Sequence, residues 1–266
     1  VTHPPTSALS ATSGTFSTNV GIGNARTDGT LHVHSGSAGT VAASTQADDL
    51  VVENNLEGGI TIITPDDQSA RIRFTSPSTN TDVGGAFIFY RQNINKMNIG
   101  TAVAGGILDL QSGAGVSAIN ADANGAVTMP LQPAFCAIPA ATQSNVANAA
   151  TVAFGTERFD QNSDFASNTF TAPVTGRYQL SYMVRMDGMD QASSYTRMSL
   201  ITSNRGYESA IFDTSKLSGD PTYWHFTQSV LVDMDANDTA YVRWNYSSGS
   251  QQADVNNGEF SGYLVC

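Results

Sequence analysis

The sequence predicts an all-β protein, and three observations support that prediction. Short segments of alternating apolar and polar residues follow one another at intervals of about ten residues, with Asn, Gly, Pro and Asp between them. No stretch sustains the period of an amphipathic helix. Only 13% of the 266 residues are charged, and small polar residues that suit strands and tight turns take their place.

The first 45 residues are expected to contribute little to a core. Residues 1–15 are rich in Pro, Ser, Thr and Gly, so we expect them to be extended or poorly ordered. Two short alternating pairs follow within residues 19–33, separated by Asn, Asp and Gly residues typical of turns. Residues 35–49 are small and polar, as in a linker. We assign residues 1–45 to an N-terminal shaft and linker.

Stronger strand candidates fill residues 46–130, which we assign to a β-rich shaft domain. They lie at residues 50–54, 59–67, 70–77, 86–92, 96–100, 106–113 and 126–130. The aromatic residues up to position 130 are only Phe16, Phe74, Phe87, Phe89 and Tyr90. Because so small a core is marginal for one chain, we predict that three chains share a core along a common axis.

Two segments of this region resemble modules of phage fibres. NVGIGNARTDGTLHV, residues 19–33, looks like the "NVGIG…LHV" shaft element of tailed-bacteriophage fibres and related bacterial surface fibres. DLVVENNLEGGITIITPDDQSARIRF, residues 49–74, resembles a module that often follows it. The resemblance covers roughly residues 15–130 and implies a homotrimeric, elongated, extracellular shaft.

Residues 131–266 form a second predicted domain, in which most of the aromatic residues lie. Its strand candidates occupy residues 134–138, 151–154, 168–172, 176–186, 195–203, 206–212, 224–234, 239–246 and 259–266. This many short strands in one domain fit an antiparallel jelly-roll sandwich.

Three segments of this domain carry a second resemblance. FTAPVTGRYQLSYMVRM, LVDMDANDTAYVRW and FSGYLV look like consecutive motifs of the complement globular head and the wider tumour-necrosis-factor-like superfamily. The resemblance implies a ten-stranded jelly roll, a compact homotrimeric head and ligand binding without catalysis. Asn237 stands where the family usually has Gly before Asp. Because Asn tolerates the left-handed backbone conformation, we expect the turn to survive.

The charge distribution excludes some partners. The net charge is −11, and the acidic excess is spread evenly over both halves of the chain. No basic patch or stripe is visible, so neither nucleic acid nor an anionic membrane surface is expected to be a partner. No apolar run is long enough to span a membrane as a helix. Because the chain opens on Val1, we expect a fragment or a processed form.

No arrangement of residues predicts catalysis, so we expect neither an enzyme nor a cofactor. There is no G-x-S-x-G motif, no glycine-rich phosphate loop before a helix, and no obvious glycosidase carboxylate pair. Asp233, Asp235 and Asp238 are either calcium ligands or part of a solvated turn. Their spacing lacks the Gly and the distal Glu of an EF-hand, which favours the turn.

Two further pairs each leave two interpretations open. Cys136 and Cys266 are either bridged in a disulfide that ties the ends of the domain or are two free thiols. His32 and His34 lie on one face of a strand. On a trimer axis they would offer a transition-metal site, as in some phage fibres. The alternative is that His32 belongs to the shaft motif and His34 faces solvent.

Strand parity predicts where a ligand binds. If the chain enters and leaves the head at one end, the loops 187–194, 213–223 and 247–258, here called the tip loops, lie at the other. Their polar side chains and marginal aromatic rings suit a sugar, although ordinary solvated loops and a core position for Trp224 are the alternative. The candidate ligand-binding residues are Asp187, Asp190, Ser194, Lys216, Asp220, Tyr223, Trp224, Ser250, Gln251, Gln252, Asn256 and Asn257.

The predicted function is that of a homotrimeric cell-surface adhesin or receptor-binding fibre tip. Its partners would be further copies of itself and a cell-surface glycan or envelope polysaccharide, and its location extracellular or on a virion or cell surface. One alternative is a structural fibre segment whose head drives trimerisation. Another is a polysaccharide-degrading tailspike.

Overall fold

A computed structural model describes residues 20–22, for the backbone alone, and residues 30–40, 42–76, 84–209 and 211–266 with their side chains. The regular elements in these ranges are β-strands, apart from two 3-10 turns at Gln92–Ile94 and Thr214–Lys216. The all-β prediction is therefore confirmed there. The chain divides into two compact units, Val1–Val103 and Ala104–Cys266, here called unit 1 and unit 2.

Unit 1 contains two three-stranded sheets. The strands of the first are parallel: β1 (Val20–Ile22), β2 (Leu31–His34) and β3 (Leu50–Glu53). The strands of the second form an antiparallel meander: β4 (Ser69–Phe74), β5 (Ala86–Arg91) and β6 (Lys96–Thr101). The strand predicted at residues 59–67 is absent, and Ile60 and Ile63 are exposed. Alternation does not by itself make a strand, because the backbone also needs a hydrogen-bonding partner.

The β4–β6 sheet has two chemically different faces. Its cross-strand rows place Ala70, Ile72, Phe74, Ala86, Ile88, Tyr90, Met97, Ile99 and Thr101 on one face. The other face carries four of the chain's 12 Lys and Arg residues, namely Arg71, Arg73, Arg91 and Lys96. The sequence-based conclusion that there is no basic patch is thus wrong for this sheet. Residues distant in sequence become neighbours once the strands pair.

Unit 2 begins with a small antiparallel sheet. It consists of β7 (Leu108–Ser112), β8 (Val116–Ala121) and β9 (Val127–Thr128). Strand β8 was not predicted, because its sequence VSAINA lacks a clear alternation. The predicted domain limits at residues 45 and 130 stay predictions.

The rest of unit 2 is the predicted jelly-roll sandwich of ten strands. They are β10 (Ala134–Ile138), β11 (Thr156–Asp160), β12 (Phe165–Ala166), β13 (Thr169–Thr171), β14 (Gly176–Asp187), β15 (Tyr195–Thr202), β16 (Gly206–Glu208), β17 (Tyr223–Met234), β18 (Thr239–Ser247) and β19 (Asp254–Leu264). They form two five-stranded sheets, ordered β11-β10-β19-β14-β17 and β12-β13-β18-β15-β16. Residues 151–154 make only an isolated bridge from Thr151 to Arg243, instead of the predicted strand.

The core lies between these two sheets and is rich in aromatic rings. Along β14, alternate residues from Tyr178 to Met186 are buried, as the period of a half-buried strand requires. Phe135 stacks on Phe165 and Phe170 at centroid distances of 5.0 and 4.8 Å, and Phe260 meets it edge-on at 5.0 Å. Such offset and edge-to-face pairs add stability beyond their buried area.

The chain enters and leaves the sandwich at one end. Leu264 N–H donates to the Pro133 carbonyl at 3.0 Å, and Gln132 Nε2 donates to the Leu264 carbonyl at 3.0 Å. The β17–β18 turn lies at this end, where Ala236 N–H donates to Thr175 Oγ1. Asn237 in that turn has a φ of 75°, so the expected left-handed conformation is observed.

Both cysteines are free thiols, Cys136 buried and Cys266 exposed. Cys136 lies opposite Ser261 in the β10–β19 ladder. Five more residues of roughly extended chain separate Ser261 from Cys266, which is about 16 Å at the rise of a strand. Two α-carbons so far apart cannot be joined by a disulfide. Of the two interpretations left open by the sequence, the structure therefore has the free thiols.

Candidate functional site

The predicted tip loops lie together at the end of the sandwich opposite Pro133 and Leu264. Strand β14 runs from the chain ends to Asp187, which is paired with Tyr223 of β17 and Asp254 of β19. The connections β14–β15, β16–β17 and β18–β19 therefore leave the sheets at the same place. The third connection is shorter than predicted, since Asn256 and Asn257 belong to β19.

Asp190 ties the first of these loops to the third. Its carboxylate accepts the Ala192 N–H at 2.7 Å within its own loop and the Ser250 N–H from the β18–β19 loop. The hydrogen bond from Ser250, followed by that from Ala192, holds the pKa of Asp190 below its ordinary value. Ser193 Oγ donates to the Ser248 carbonyl at 3.0 Å and adds a second link.

Asp220 ties the second loop to the other two. It accepts the Gln191 N–H at 2.8 Å from the first loop and Gln252 Nε2 at 2.9 Å from the third. Gln252 Nε2 also donates to the Gly188 carbonyl at 3.1 Å. Backbone groups also join the first and second loops, because Gly188 N–H donates to the Thr222 carbonyl. The three loops thus form one hydrogen-bonded surface.

A second cluster lies beside these loops, where β14, β17 and β19 meet. Arg185 donates two hydrogen bonds to the Asp187 carboxylate, at 2.8 and 3.0 Å. Asn256 Nδ2 donates to the same carboxylate at 2.6 Å. The Arg185 guanidinium also lies 5.1 Å from the ring centre of Tyr223, which is 64% exposed.

Trp224 is half-exposed and is braced by a neighbour. It stacks on Phe212 with ring centroids 4.1 Å apart and an interplanar angle of 13°. This contact fixes the indole plane at the margin of the tip loops. The ring is therefore neither fully in the core nor free in solvent.

The predicted ligand-binding residues divide into two groups. Asp187, Asp190, Ser194, Asp220, Gln252 and Asn256 are engaged in hydrogen bonds within or between the loops and strands. Lys216, Tyr223, Trp224, Ser250, Gln251 and Asn257 are exposed. The first group shapes the surface, and the second group lies exposed on it, although Gln251 also donates to the Asn145 carbonyl and Lys216 is ion-paired with Asp213. No measurement of binding bears on either group, so their role stays a prediction.

A fourth segment joins the tip loops and was missed from the sequence. It follows β10, and Asn145 N–H donates to the Asp254 carboxylate at 2.7 Å while the Asn145 carbonyl accepts Gln251 Nε2 at 2.5 Å. Asn148 Oδ1 accepts the Tyr246 N–H at 3.1 Å. The cluster of Asn residues around position 145 was the available signal, but their position depends on the β10–β19 pairing.

His32 and His34 lie together in unit 1 around one carboxylate. The His32 and His34 Nε2 atoms are 3.0 and 3.7 Å from Glu53 Oε2, and His32 is 1% exposed. The Ala38 N–H donates to Glu53 Oε1 at 2.8 Å, and this bond is the main cause of the lowered pKa of Glu53. Within the described ranges, no group of three or more His, Cys, Asp or Glu is arranged to hold a metal ion. A metal shared between several copies of the histidine pair stays a prediction.

In the acidic cluster of the β17–β18 turn, the carboxylates of Asp233 and Asp238 contact other groups of the same chain. Asp238 Oδ2 accepts the Asp235 N–H and Asn204 Nδ2, each at 2.8 Å. Arg205 Nη2 lies 2.9 Å from Asp233. These contacts agree with a solvated turn, the interpretation favoured over calcium.

One family model and several solved structures match the C-terminal half of the chain. Residues 134–265 match the family model described as "C1q domain". Among solved structures, the globular domain of zebrafish complement 1qA protein is 16% identical, with a TM-score of 0.40, over 51% of this chain and 98% of its own. Murine APRIL is 10% identical, with a TM-score of 0.33, over 50% of this chain and 99% of its own. No curated protein matches the chain.

C1q and tumour-necrosis-factor-like domains are typically non-enzymatic binding or structural modules and commonly form homotrimers. Proteins with a C1q domain are generally secreted or extracellular. In the described ranges of this chain, no helix has the length and apolar character needed to cross a membrane. Residues 134–265 of this chain match the C1q family model, have a jelly-roll fold and are here called the C1q domain.

Proposed function

We propose that this chain is a homotrimeric cell-surface adhesin or receptor-binding fibre tip that recognises a glycan on a target cell through the tip loops. The observation that carries the proposal is the hydrogen-bonded union of these loops by Asp190, Asp220 and Gln252. A surface held in one arrangement before binding loses less entropy when a ligand arrives.

The chemistry of the exposed residues suits a sugar. Hydroxyl, amide and ammonium groups of Ser250, Gln251, Asn257 and Lys216 can exchange hydrogen bonds with ring hydroxyls. Tyr223 and Trp224 offer ring surface against which the C–H groups of a sugar pack.

The outer face of the sheet that contains β14 supports the homotrimer. It exposes Phe159, Met183, Leu231 and Tyr263 to about half of their area, although the outer face of such a sheet is normally polar. A cavity of about 240 Å³ lies between them, and its lining includes Cys136, Ser181 and Ser261. Two further copies of the domain would cover this face, as apolar patches of this kind mark interfaces.

Unit 1 supports trimerisation independently. Apolar residues that would be expected in a core are exposed there, among them Leu56, Ile60, Ile63, Ile72, Phe74 and Ile99. Partner chains would bury them, which agrees with a trimeric fibre shaft attached to the C1q domain.

The oligomeric state is the first test. Light scattering coupled to size-exclusion chromatography is expected to report three times the 28.0 kDa of one chain. A stable monomer would remove the proposal, because the exposed apolar surfaces of both units would then be uncovered.

Binding is the second test, made with a glycan array and whole cells. Tyr223→Ala and Gln251→Ala are expected to weaken binding by about tenfold each, the usual effect of losing one well-placed contact. Gln46→Ala, the same change at an exposed position of unit 1, serves as the matched control and is expected to have no effect.

The two alternatives give different outcomes. If deletion of residues 131–266 abolished trimers while the tip variants left cell binding unchanged, the chain would be a structural fibre segment. New reducing ends on envelope polysaccharide would indicate the degrading enzyme instead.

A further inference from the structure

The basic face of the β4–β6 sheet is a concentration of positive charge in an acidic chain. Arg71, Arg73, Arg91 and Lys96 are four of the 12 cationic residues, whereas the net charge is −11. The three strands contain no Asp or Glu at all. We propose that this face is a second binding surface, separate from the tip loops, which takes an anionic polysaccharide carrying carboxylate or sulfate groups.

The geometry spaces the charges along both directions of the sheet. Arg71 and Arg73 are two residues apart on β4, about 7 Å, and therefore point the same way. Arg91 and Lys96 lie opposite each other on β5 and β6, about 5 Å apart between their β-carbons. Arg91 is also diagonal to Arg71. Such spacings are comparable to the length of a sugar unit.

Two of the cations, Arg71 and Arg91, lie against an aromatic ring and are exposed to solvent. Arg71 and Arg91 both lie against Phe89, with their Cζ atoms 5.9 and 5.3 Å from the ring centre. Arg73 lies 6.0 Å from the centre of Phe87. The ion pairs between described residues do not include Arg71, Arg91 or Lys96, and all three are exposed. Arg71 and Arg91 are thus positioned by a ring contact, and neither is ion-paired with a described residue.

The ring contacts decide which polyanion fits better. Phe87 and Phe89 are half-buried beneath guanidinium groups, so they offer no open platform for stacking nucleobases. A duplex binder would also need more phosphate contacts than four cations supply. Guanidinium N–H groups instead match the paired oxygens of carboxylate and sulfate. Neutral sugars are expected to bind this face weakly, because guanidinium groups cover the aromatic rings on which a sugar could pack.

The test measures binding of the full chain to a heparin-derived oligosaccharide, a polygalacturonate oligomer, neutral dextran and a short DNA duplex, in about 50 mM salt so that exposed charges are weakly screened. We expect binding to at least one of the two anionic saccharides and none to dextran. The double variant Arg71→Gln/Arg91→Gln is expected to weaken that binding by about tenfold or more, the loss typical of two charge-assisted hydrogen bonds.

Two further variants separate recognition from charge and from folding. Arg158→Gln/Arg177→Gln removes two exposed arginines of unit 2, with the same change in net charge, and is expected to leave affinity within about twofold because neither arginine belongs to the β4–β6 sheet. Arg71→Lys/Arg91→Lys keeps the charge but not the planar fork, so about threefold weaker binding is expected. Circular dichroism spectra should be unchanged in all three variants.

Several results would overturn the proposal. They are dextran binding as tight as that of the anionic saccharides, equal losses in the two Gln double variants, no loss in Arg71→Gln/Arg91→Gln, or preference for the DNA duplex. Tyr223→Ala, a variant of the tip loops, is expected to leave this binding unchanged. Failure of the tip-loop proposal can therefore be told apart from failure of this one.

Discussion

Unit 1 and the C1q domain are both built from β-strands, but they differ in how far the apolar side chains of those strands are buried. Among the described residues of unit 1, only His32 is buried. The buried apolar residues described for the chain all lie at position 135 or beyond. The jelly roll encloses its core between two five-stranded sheets. The two described sheets of unit 1 have three strands each and leave apolar faces uncovered.

The difference concerns how many chains are needed to make a core. A small β-segment cannot bury enough apolar surface to offset the entropy lost on ordering. The C1q domain satisfies this requirement within one chain, so trimerisation would add to a fold that exists already. The described part of unit 1 does not satisfy it, so its sheets are expected to depend on partner chains. The following experiments test that contrast.

The largest effect is expected when the two regions are separated. Residues 131–266 alone should unfold in one cooperative thermal transition, because their core is complete. Residues 1–103 alone should show no such transition at concentrations where they are monomeric. Circular dichroism melting together with analytical ultracentrifugation makes the comparison. A sharp transition in monomeric 1–103 would refute the contrast.

Truncation of one Phe side chain in each region tests the same contrast between unit 1 and the C1q domain more closely. Phe260→Ala removes a fully buried ring that contacts Phe135, and it is expected to lower the free energy of unfolding by about 3–5 kcal/mol. Phe74→Ala, at a side chain that is 57% exposed, should cost less than about 1 kcal/mol in a monomer. Guanidinium titration gives both values. Equal losses in monomeric protein would mean that unit 1 has a core of its own.

A smaller effect is expected from Asp190, which braces the tip loops of the C1q domain. Asp190→Ala should cost about 1–2 kcal/mol, since two backbone donors lose a charged acceptor. The lowered pKa means that the carboxylate contributes fully above its ordinary value of 3.8 and is lost only as the pH falls through the lowered value. Amide shifts of Ala192 and Ser250, followed by NMR against pH, should therefore move with a midpoint below pH 3.8. A midpoint above pH 3.8 would contradict this assignment.

The smallest effect is expected at Glu53 in unit 1. Glu53→Gln keeps an oxygen for the Ala38 N–H, so thermal stability at neutral pH should fall only slightly. The pKa of Glu53 is lowered, chiefly by that hydrogen bond, so the carboxylate contributes above 4.5 and is lost as the pH falls through the lowered value. The difference between the two proteins should close in acid. A difference that grows instead would show that Glu53 is held by other groups.

The tip loops show what strand parity can predict from a sequence and what it cannot. It predicted which loops share one end of the sandwich, because consecutive antiparallel strands reverse direction and the segments of β14, β17, β18 and β19 are long and regular. It could not separate the bracing residues from the exposed ones. Asp190 and Lys216 look equally available in the sequence, yet the Asp190 carboxylate is engaged by two N–H groups, whereas Lys216 is exposed and lies 3.7 Å from Asp213 Oδ2. Loop conformation depends on contacts between segments some sixty positions apart, such as that of Ser250 with Asp190.

The sequence by itself determined the all-β class, the jelly roll, the β17–β18 turn at Asn237 and the scarcity of aromatic residues before position 130. These follow from local alternation, turn residues and aromatic content, which are properties of short segments. Only the tertiary structure decided that Cys136 and Cys266 stay apart, that residues around Asn145 join the tip, and that an acidic chain carries a basic sheet face. Each depends on strand register, and register is set by the pairing of segments far apart in the chain rather than by either segment alone.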